Sequence, residues 1–218
     1  MKTLDKATTE TLLNGYRSRD GMKTNLSSIF PVSYRGKEWM CASNGREILM
    51  ILKNDQNDIP APEHKTPDVA AILPTDWEEV ETPMDLLEIP YHDAPMKEVD
   101  DTCTCSSCDG KGEFEHDGET YECRKCGETG QMYTGFTKEV RGYDHLVHLD
   151  RDPPLDFKLY ERFLAVIRLL SPDRICFLRQ KGNHMIHGFM MEDQVLIWMA
   201  GMGNVEDHNK NLTLPLPV

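Results

Sequence analysis

Four cysteines in two C-x-x-C pairs, Cys105/Cys108 and Cys123/Cys126, are the residues whose type and spacing most directly specify a chemistry. Two thiolates three positions apart can bite one tetrahedral ion, and the glycines after each pair (Gly110 and Gly112, Gly127 and Gly130) permit the tight turn this needs. Fourteen residues separate the pairs, and among them Asp117-Gly118 predicts a two-residue hairpin turn. Counting outward from that turn sets Glu115 opposite Thr120 and Phe114 opposite Tyr121, which returns the second pair beside the first. The expectation is one structural Zn²⁺ bound by Cys105, Cys108, Cys123 and Cys126, with no open position for water. Lys111, Arg124 and Lys125 lie on the knuckles, where they offset the charge of four thiolates. Redox thiols or disulfides are the alternative use of the same residues, and Cys103 and His116 are spare donors.

The remaining reactive residue types form no comparable constellation. His145-x-x-His148 and His184-x-x-His187 fall on strand candidates, where residues three apart point to opposite faces and make poor chelates. Cys41 and Cys176 sit in apolar runs and read as packing residues. The chain contains no P-loop, nucleophile elbow or H-E-x-x-H helix, so it is read as non-enzymatic. Two other features bear on binding. A helix over residues 156–170 would carry Lys158, Arg162 and Arg168 on its polar side, and a first helix over Thr8–Ser18 leads into Arg17, Arg19 and Lys23. Basic helix faces of this kind contact nucleic-acid phosphates without reading bases; the plainer reading is a solvated face. Near the end of the sequence, Asn211-Leu212-Thr213-Leu214-Pro215-Leu216 alternates leucines, consistent with a strand packed on its own domain or with a partner-binding segment.

The elements that must position these residues fall into two similar flanks. Residues 131–202 predict a β-α-β-β-β order. Its strands are Asp144–Leu149, Arg174–Arg179, Met185–Met191 and Val195–Met199, and its helix carries Phe157, Tyr160, Phe163, Leu164, Ile167 and Leu170 at helical spacing. Residues 1–53 repeat that order more weakly, with strands Lys2–Leu4, Ile29–Tyr34, Glu38–Ala42 and Glu47–Leu52. Residues 54–102 hold seven prolines and carry fourteen Asp/Glu against two Lys/Arg, which accounts for most of the net charge of −13. Proline forbids a long helix or central strand there, so an acidic connector over the surface is expected, with apolar islands at Val69–Leu73 and Met84–Leu87. The expected divisions are thus 1–53, 54–102, the zinc module 103–130, 131–202 and a tail 203–218. Residues 1–10 contain no signal-peptide core and no apolar run spans a bilayer, which predicts a cytoplasmic protein with reduced thiols and no membrane partner.

Two family resemblances follow from these residues. The cysteine module resembles the zinc knuckles of DnaJ-type co-chaperones, although the second knuckle departs from C-x-x-C-x-G-x-G and the chain lacks a J-domain His-Pro-Asp motif. The flanks resemble the DNA sliding clamp, the DNA polymerase III beta subunit, whose domains are pairs of β-α-β-β-β units. Trp39–Met50 (WMCASNGREILM) is similar to a clamp strand-turn-strand, and 189–202 (FMMEDQVLIWMAGM) to its last hairpin, with Met199-Ala-Gly-Met202 in place of Met-Pro-Met. The overall likeness is to clamp-like proteins of bacteriophages. This implies an α+β fold in which one clamp-like domain is interrupted by the connector and the zinc hairpin. It also implies a cytoplasmic replication accessory, a processivity factor. Helix residues Arg17, Arg19, Lys23, Lys158, Arg162 and Arg168 would meet DNA phosphates non-specifically, and DNA polymerase would be a partner. A closed ring of six such units would be a homotrimer. The segment Asn211, Leu212, Leu214 and Leu216 resembles the clamp-binding peptide Q-L-S-L-P-L, which gives the alternative: a monomeric adaptor or inhibitor that docks on a host sliding clamp. A zinc-dependent thiol oxidoreductase or chaperone is a third class.

Overall fold

The computed structural model describes residues 3–18, 26–116, 119–142, 145–149, 154–180, 186–201 and 211–214. They form two compact units, one from Met1–Ala94 and Asp144–Val218, the other from Pro95–Tyr143.

The larger unit is built on a seven-stranded antiparallel sheet. Its strands are β1 (Phe30–Tyr34), β2 (Lys37–Ser43), β3 (Glu47–Leu52), β4 (Trp77–Glu81), β11 (Ile175–Gln180), β12 (Ile186–Met191) and β13 (Val195–Ala200), in the order β1-β2-β3-β13-β12-β11-β4. Two three-stranded meanders therefore meet at the centre through their last strands, from Val195 opposite Ile51 to Met199 opposite Glu47. Strands β3 (EILMIL) and β13 (VLIWMA) lack polar alternation because both faces of the sheet are covered. Met40, Ala42, Leu49, Ile51, Phe177, Phe189 and Ile197 face one core; Trp39, Cys41, Met50, Cys176, Leu196 and Trp198 face the other.

Helices α1 (Lys6–Tyr16) and α3 (Phe157–Leu170) cover the first face. Asp5 caps α1 by accepting from the Thr8 amide at 2.8 Å, and Asp156 caps α3 from the Lys158 amide at 2.7 Å. Ser171 ends α3 in a left-handed conformation (φ 43°) with its amide donating to the Ile167 carbonyl, and Pro172 follows. Phe163 packs on Phe189 with ring centroids 4.2 Å apart and the planes tilted by 33°, tying α3 to the sheet.

Residues 54–102 depart from the expected surface connector. Val69 and Leu73, flanking a 3₁₀ turn at Ala70–Ile72, are buried on the second sheet face. Strand β4 then adds to the edge of β11, where Glu79 and Glu78 meet Arg174 and Arg179. Helix α2 (Met84–Asp93) follows, burying Leu87 and Pro90. An edge strand of five residues and a helix of ten are short enough to tolerate the surrounding prolines, and apolar islands bury themselves on the nearest uncovered sheet face. The strand expected at Lys2–Leu4 is not formed at Thr3 and Leu4: Asp5 is already the helix cap, and Leu4 packs into the core instead. Lys2 lies outside the described residues. A three-stranded sheet completes the unit, with β9 (Leu146–Leu149) between β10 (Leu155–Asp156) and β14 (Asn211–Leu214).

The smaller unit has a different construction. Strands β5 (Met96–Thr104) and β8 (Gln131–Arg141) form a long two-stranded ribbon with an irregularity between Asp100 and Thr102. The four cysteines and the hairpin β6 (Glu113–His116) and β7 (Glu119–Glu122) lie between them. This unit extends past 103–130 on both sides because the strands flanking the cysteines pair with each other. Its buried centre is Cys105, Cys108 and Cys123, with Cys126 and Met132 packed against it.

Candidate functional site

The cysteine centre is built by two interlocked loops. Hairpin register is as the turn arithmetic requires, Phe114 opposite Tyr121 and Glu115 opposite Thr120, with the two rings stacked at 6.0 Å; Asp117 and Gly118 lie outside the described residues. The Cys105 amide donates to the Gly130 carbonyl at 2.8 Å, and the Cys123 amide to the Gly112 carbonyl at 2.7 Å, so each knuckle closes on the other. A Cβ at Gly112 would lie 2.1 Å from the Glu128 carbonyl oxygen, and one at Gly130 2.1 Å from that of Gly110. Both positions are therefore restricted to glycine by contact as well as by positive φ.

The second knuckle's departure from the glycine pattern resolves at the backbone. After Cys108 the chain runs through Asp109 (φ 48°), Gly110 (80°) and Gly112 (81°); after Cys126 it runs through Gly127 (58°), Glu128 (68°) and Gly130 (70°). The two loops adopt one left-handed path and exchange which residue is the glycine. Glu128 accepts a conformation unfavourable for a side chain, while Gly127 occupies the place held by Asp109.

The sulfurs fit a metal. All four lie within 4.8 Å of one another, with Cys105–Cys123 at 3.8 Å and Cys108–Cys126 at 3.7 Å. A tetrahedron with metal–sulfur bonds of about 2.3 Å has edges of about 3.8 Å. The Gly112 amide also points at the Cys108 sulfur at 3.3 Å, as a donor stabilising thiolate. Burial opposes ionisation of Cys123, but backbone donors at Cys126 and Lys125 outweigh it and leave the thiol at about 7. Burial and the neighbouring Cys123 push Cys126 up to about 11. A divalent cation would favour the thiolate at both. Cys103 is exposed and outside this cluster among the described residues. Nothing is described of the His116 side chain.

The basic helix residues are distributed less simply than their sequence suggests. Arg162 reaches down from α3 to Glu47 at 2.5 Å, donates to the Gly15 carbonyl of α1 at 2.5 Å, and lies 4.9 Å over the Tyr16 ring. Arg168 pairs with Glu88 of α2 at 2.9 Å and covers the Tyr91 ring. Both arginines thus join elements of their own unit. Lys158 and Arg17 are exposed. Arg19 and Lys23 lie outside the described residues. Glu47 was not foreseen in this role: it is 1% exposed, burial raises its pKa, and Asn44 and Arg162 oppose that rise. A carboxylate at the head of an otherwise apolar strand was the available signal.

The leucine segment is placed differently from a free partner-binding peptide. Leu212 and Leu214 are buried in the helix-side core, on a strand paired parallel with β9. Transfer of two leucines out of water outweighs their exposure as a motif. Asn211 contributes backbone pairing to β9, and Leu216 lies outside the described residues.

No protein-family model matches the chain, and no curated protein matches it in sequence. Solved structures do match. The DNA polymerase III beta subunit of Borrelia burgdorferi, in complex with a natural product, aligns over 92% of this chain and 62% of its own, at 9% identity and a TM-score of 0.50. The corresponding subunit of Pseudomonas aeruginosa aligns over 91% and 65%, at 10% identity and 0.48. That of Thermotoga maritima aligns over 93% and 65%, at 10% identity and 0.49. The chain spans less than two thirds of the length of each. At such identities the likeness concerns architecture, and the alignment to the Borrelia subunit bears it: this α+β chain has a fold similar to that of the DNA sliding clamp.

Proposed function

We propose that the protein is a non-enzymatic accessory of DNA replication, a sliding-clamp-like factor of the cytoplasm that holds DNA by its phosphates and tethers a partner such as DNA polymerase. The observation that carries this reading is the clamp-like fold, with α1 and α3 side by side on one face of a continuous sheet. Arg162 and Arg168 already neutralise Glu47 and Glu88, so phosphate contacts would fall first to the exposed Arg17, with Lys158, Arg19 and Lys23 as sequence-based candidates. Contacts of this kind are non-specific and weaken steeply with salt. The bound Zn²⁺ would be structural, since four thiolates leave no coordination position for a substrate.

The test is topological. With six clamp-like halves per ring and two from each chain, the active form is a homotrimer, read by size-exclusion chromatography with light scattering. A ring loaded on nicked circular DNA stays bound in salt and runs off when the DNA is linearised. Arg17→Glu with Lys158→Glu should lower that retention. Equal loss from circular and linear DNA would overturn encirclement. An adaptor that presents residues 211–216 to a host clamp would first have to release Leu212 and Leu214 from the core, so that role requires an opening step the ring does not.

A further inference from the structure

The position of β14 has a consequence independent of DNA. It is the outer strand of the order β10-β9-β14 and lies against α2. Among the described residues it pairs with β9 alone, in parallel, Asn211 opposite Leu146 through Leu214 opposite Leu149. Residues two apart on a strand share a face, so Leu212 (8% exposed) and Leu214 (2% exposed) enter the core together. There they join Val147 and Leu149 of β9 and Leu87 and Ala94 of the α2 region. The strand takes no part in the hydrogen bonding of the seven-stranded sheet, and its connection from β13 is ten residues long. A four-residue strand, one pairing partner and two side-chain anchors make up the kind of contact by which an extended peptide adds to an exposed sheet edge.

We infer that the groove between β9 and α2 is an acceptor site for an extended leucine-x-leucine segment, filled by the chain's own residues 211–214 and able to take the same segment from a second copy of the chain. The short tether gives the resident strand a high effective concentration, so it excludes free peptide while attached. Strand exchange between copies costs little because the groove makes identical contacts in either arrangement.

The test uses a full chain with a protease site placed within residues 203–208, cleaved after folding, and a labelled peptide spanning residues 209–218. The cleaved chain should bind the peptide saturably at one site. The uncleaved chain, and the peptide carrying Leu212→Ala and Leu214→Ala, should each bind at least tenfold more weakly. A full chain with Leu212→Asp and Leu214→Asp should gain peptide binding without cleavage. Equal binding before and after cleavage would place the site elsewhere, and failure of a folded cleaved chain to bind would remove it. If both the cleaved chain and the aspartate variant lose the near-ultraviolet signal of the buried Trp198, the strand is an integral part of the core and the inference fails. Exchange with a second copy is read separately, by mixing full chains carrying donor and acceptor dyes; an absence of transfer at high concentration would sink that part.

Discussion

The two units solve the problem of burial by opposite means. The sheet unit encloses Phe30, Phe157, Phe163, Phe177, Phe189 and Trp198 at under 2% exposure, in two cores on either side of one sheet. The 95–143 unit leaves Phe114, Tyr121, Tyr133 and Phe136 exposed, the last at 73%, and buries sulfur instead. A two-stranded ribbon and a short hairpin have too little apolar surface to order themselves. Glu113 opposite Glu122 in that hairpin adds a like-charge pair. The difference is one of what fills the centre: apolar area in one unit, and in the other four cysteines placed so that they could hold a metal ion.

The largest expected effect breaks the comparison outright if it is wrong. Removing metal with a chelator, or Cys108→Ser, should withdraw binding energy of about 10–16 kcal/mol and unfold residues 95–143. Hydrogen exchange should rise across β5–β8 while β11, β12 and β13 stay protected. Loss of protection in both would show that the units are not independent. The converse perturbation is Phe163→Ala, which should destabilise the sheet unit by about 3–5 kcal/mol in denaturant melts and leave the metal affinity unchanged.

A smaller effect separates a structural arginine from a DNA contact. Arg162→Ala strands the buried Glu47 and should cost about 2–3 kcal/mol, less than the ~3–5 of a fully buried pair because Arg162 is 40% exposed. Arg162→Lys should recover part of this, measured by the shift of the denaturation midpoint. Smaller again is Glu128→Gly, which should raise the thermal stability of the metal-bound knuckles by up to about 1 kcal/mol by relieving a side chain at φ 68°.

The smallest is a pH effect. The Arg168 hydrogen bond lowers the Glu88 pKa, so its contribution is present above the unfolded value and lost as pH falls through the folded one. Burial raises the Glu47 pKa, so its contribution runs the other way and is lost as pH rises through the folded value. Glu88→Gln should therefore lower the melting temperature at neutral pH, and the difference should shrink as pH falls through the carboxylate range. A shift of equal size at neutral and acid pH would disprove the pairing.

Much of the sheet and the whole cysteine set were legible because their signals are local. Glu47–Leu52 reads as a strand from its own composition, the α3 face from apolar spacing, and the knuckles from a turn and two pairs of cysteines. Residues 54–102 were not legible. Proline and acid dominate their composition, yet Val69, Leu73 and Leu87 decide their course because an apolar sheet face far away in sequence is there to receive them. Arg162 and Arg168 read as phosphate contacts because their partners, Glu47 and Glu88, lie 115 and 80 residues away. The glycine pattern of the second knuckle read as a departure because backbone conformation, not residue identity, is what the two loops share.

By itself, then, the sequence determined the four-cysteine set, the meanders and the α3 helix, each specified by neighbours within a few turns of chain. Only the tertiary structure decided that β4 and α2 belong to the folded body, that two arginines hold helices in place, and that Leu212 and Leu214 are core. Those outcomes depend on which buried surface or buried charge a distant segment meets, and burial is a property of the assembled chain, to which no local pattern has access.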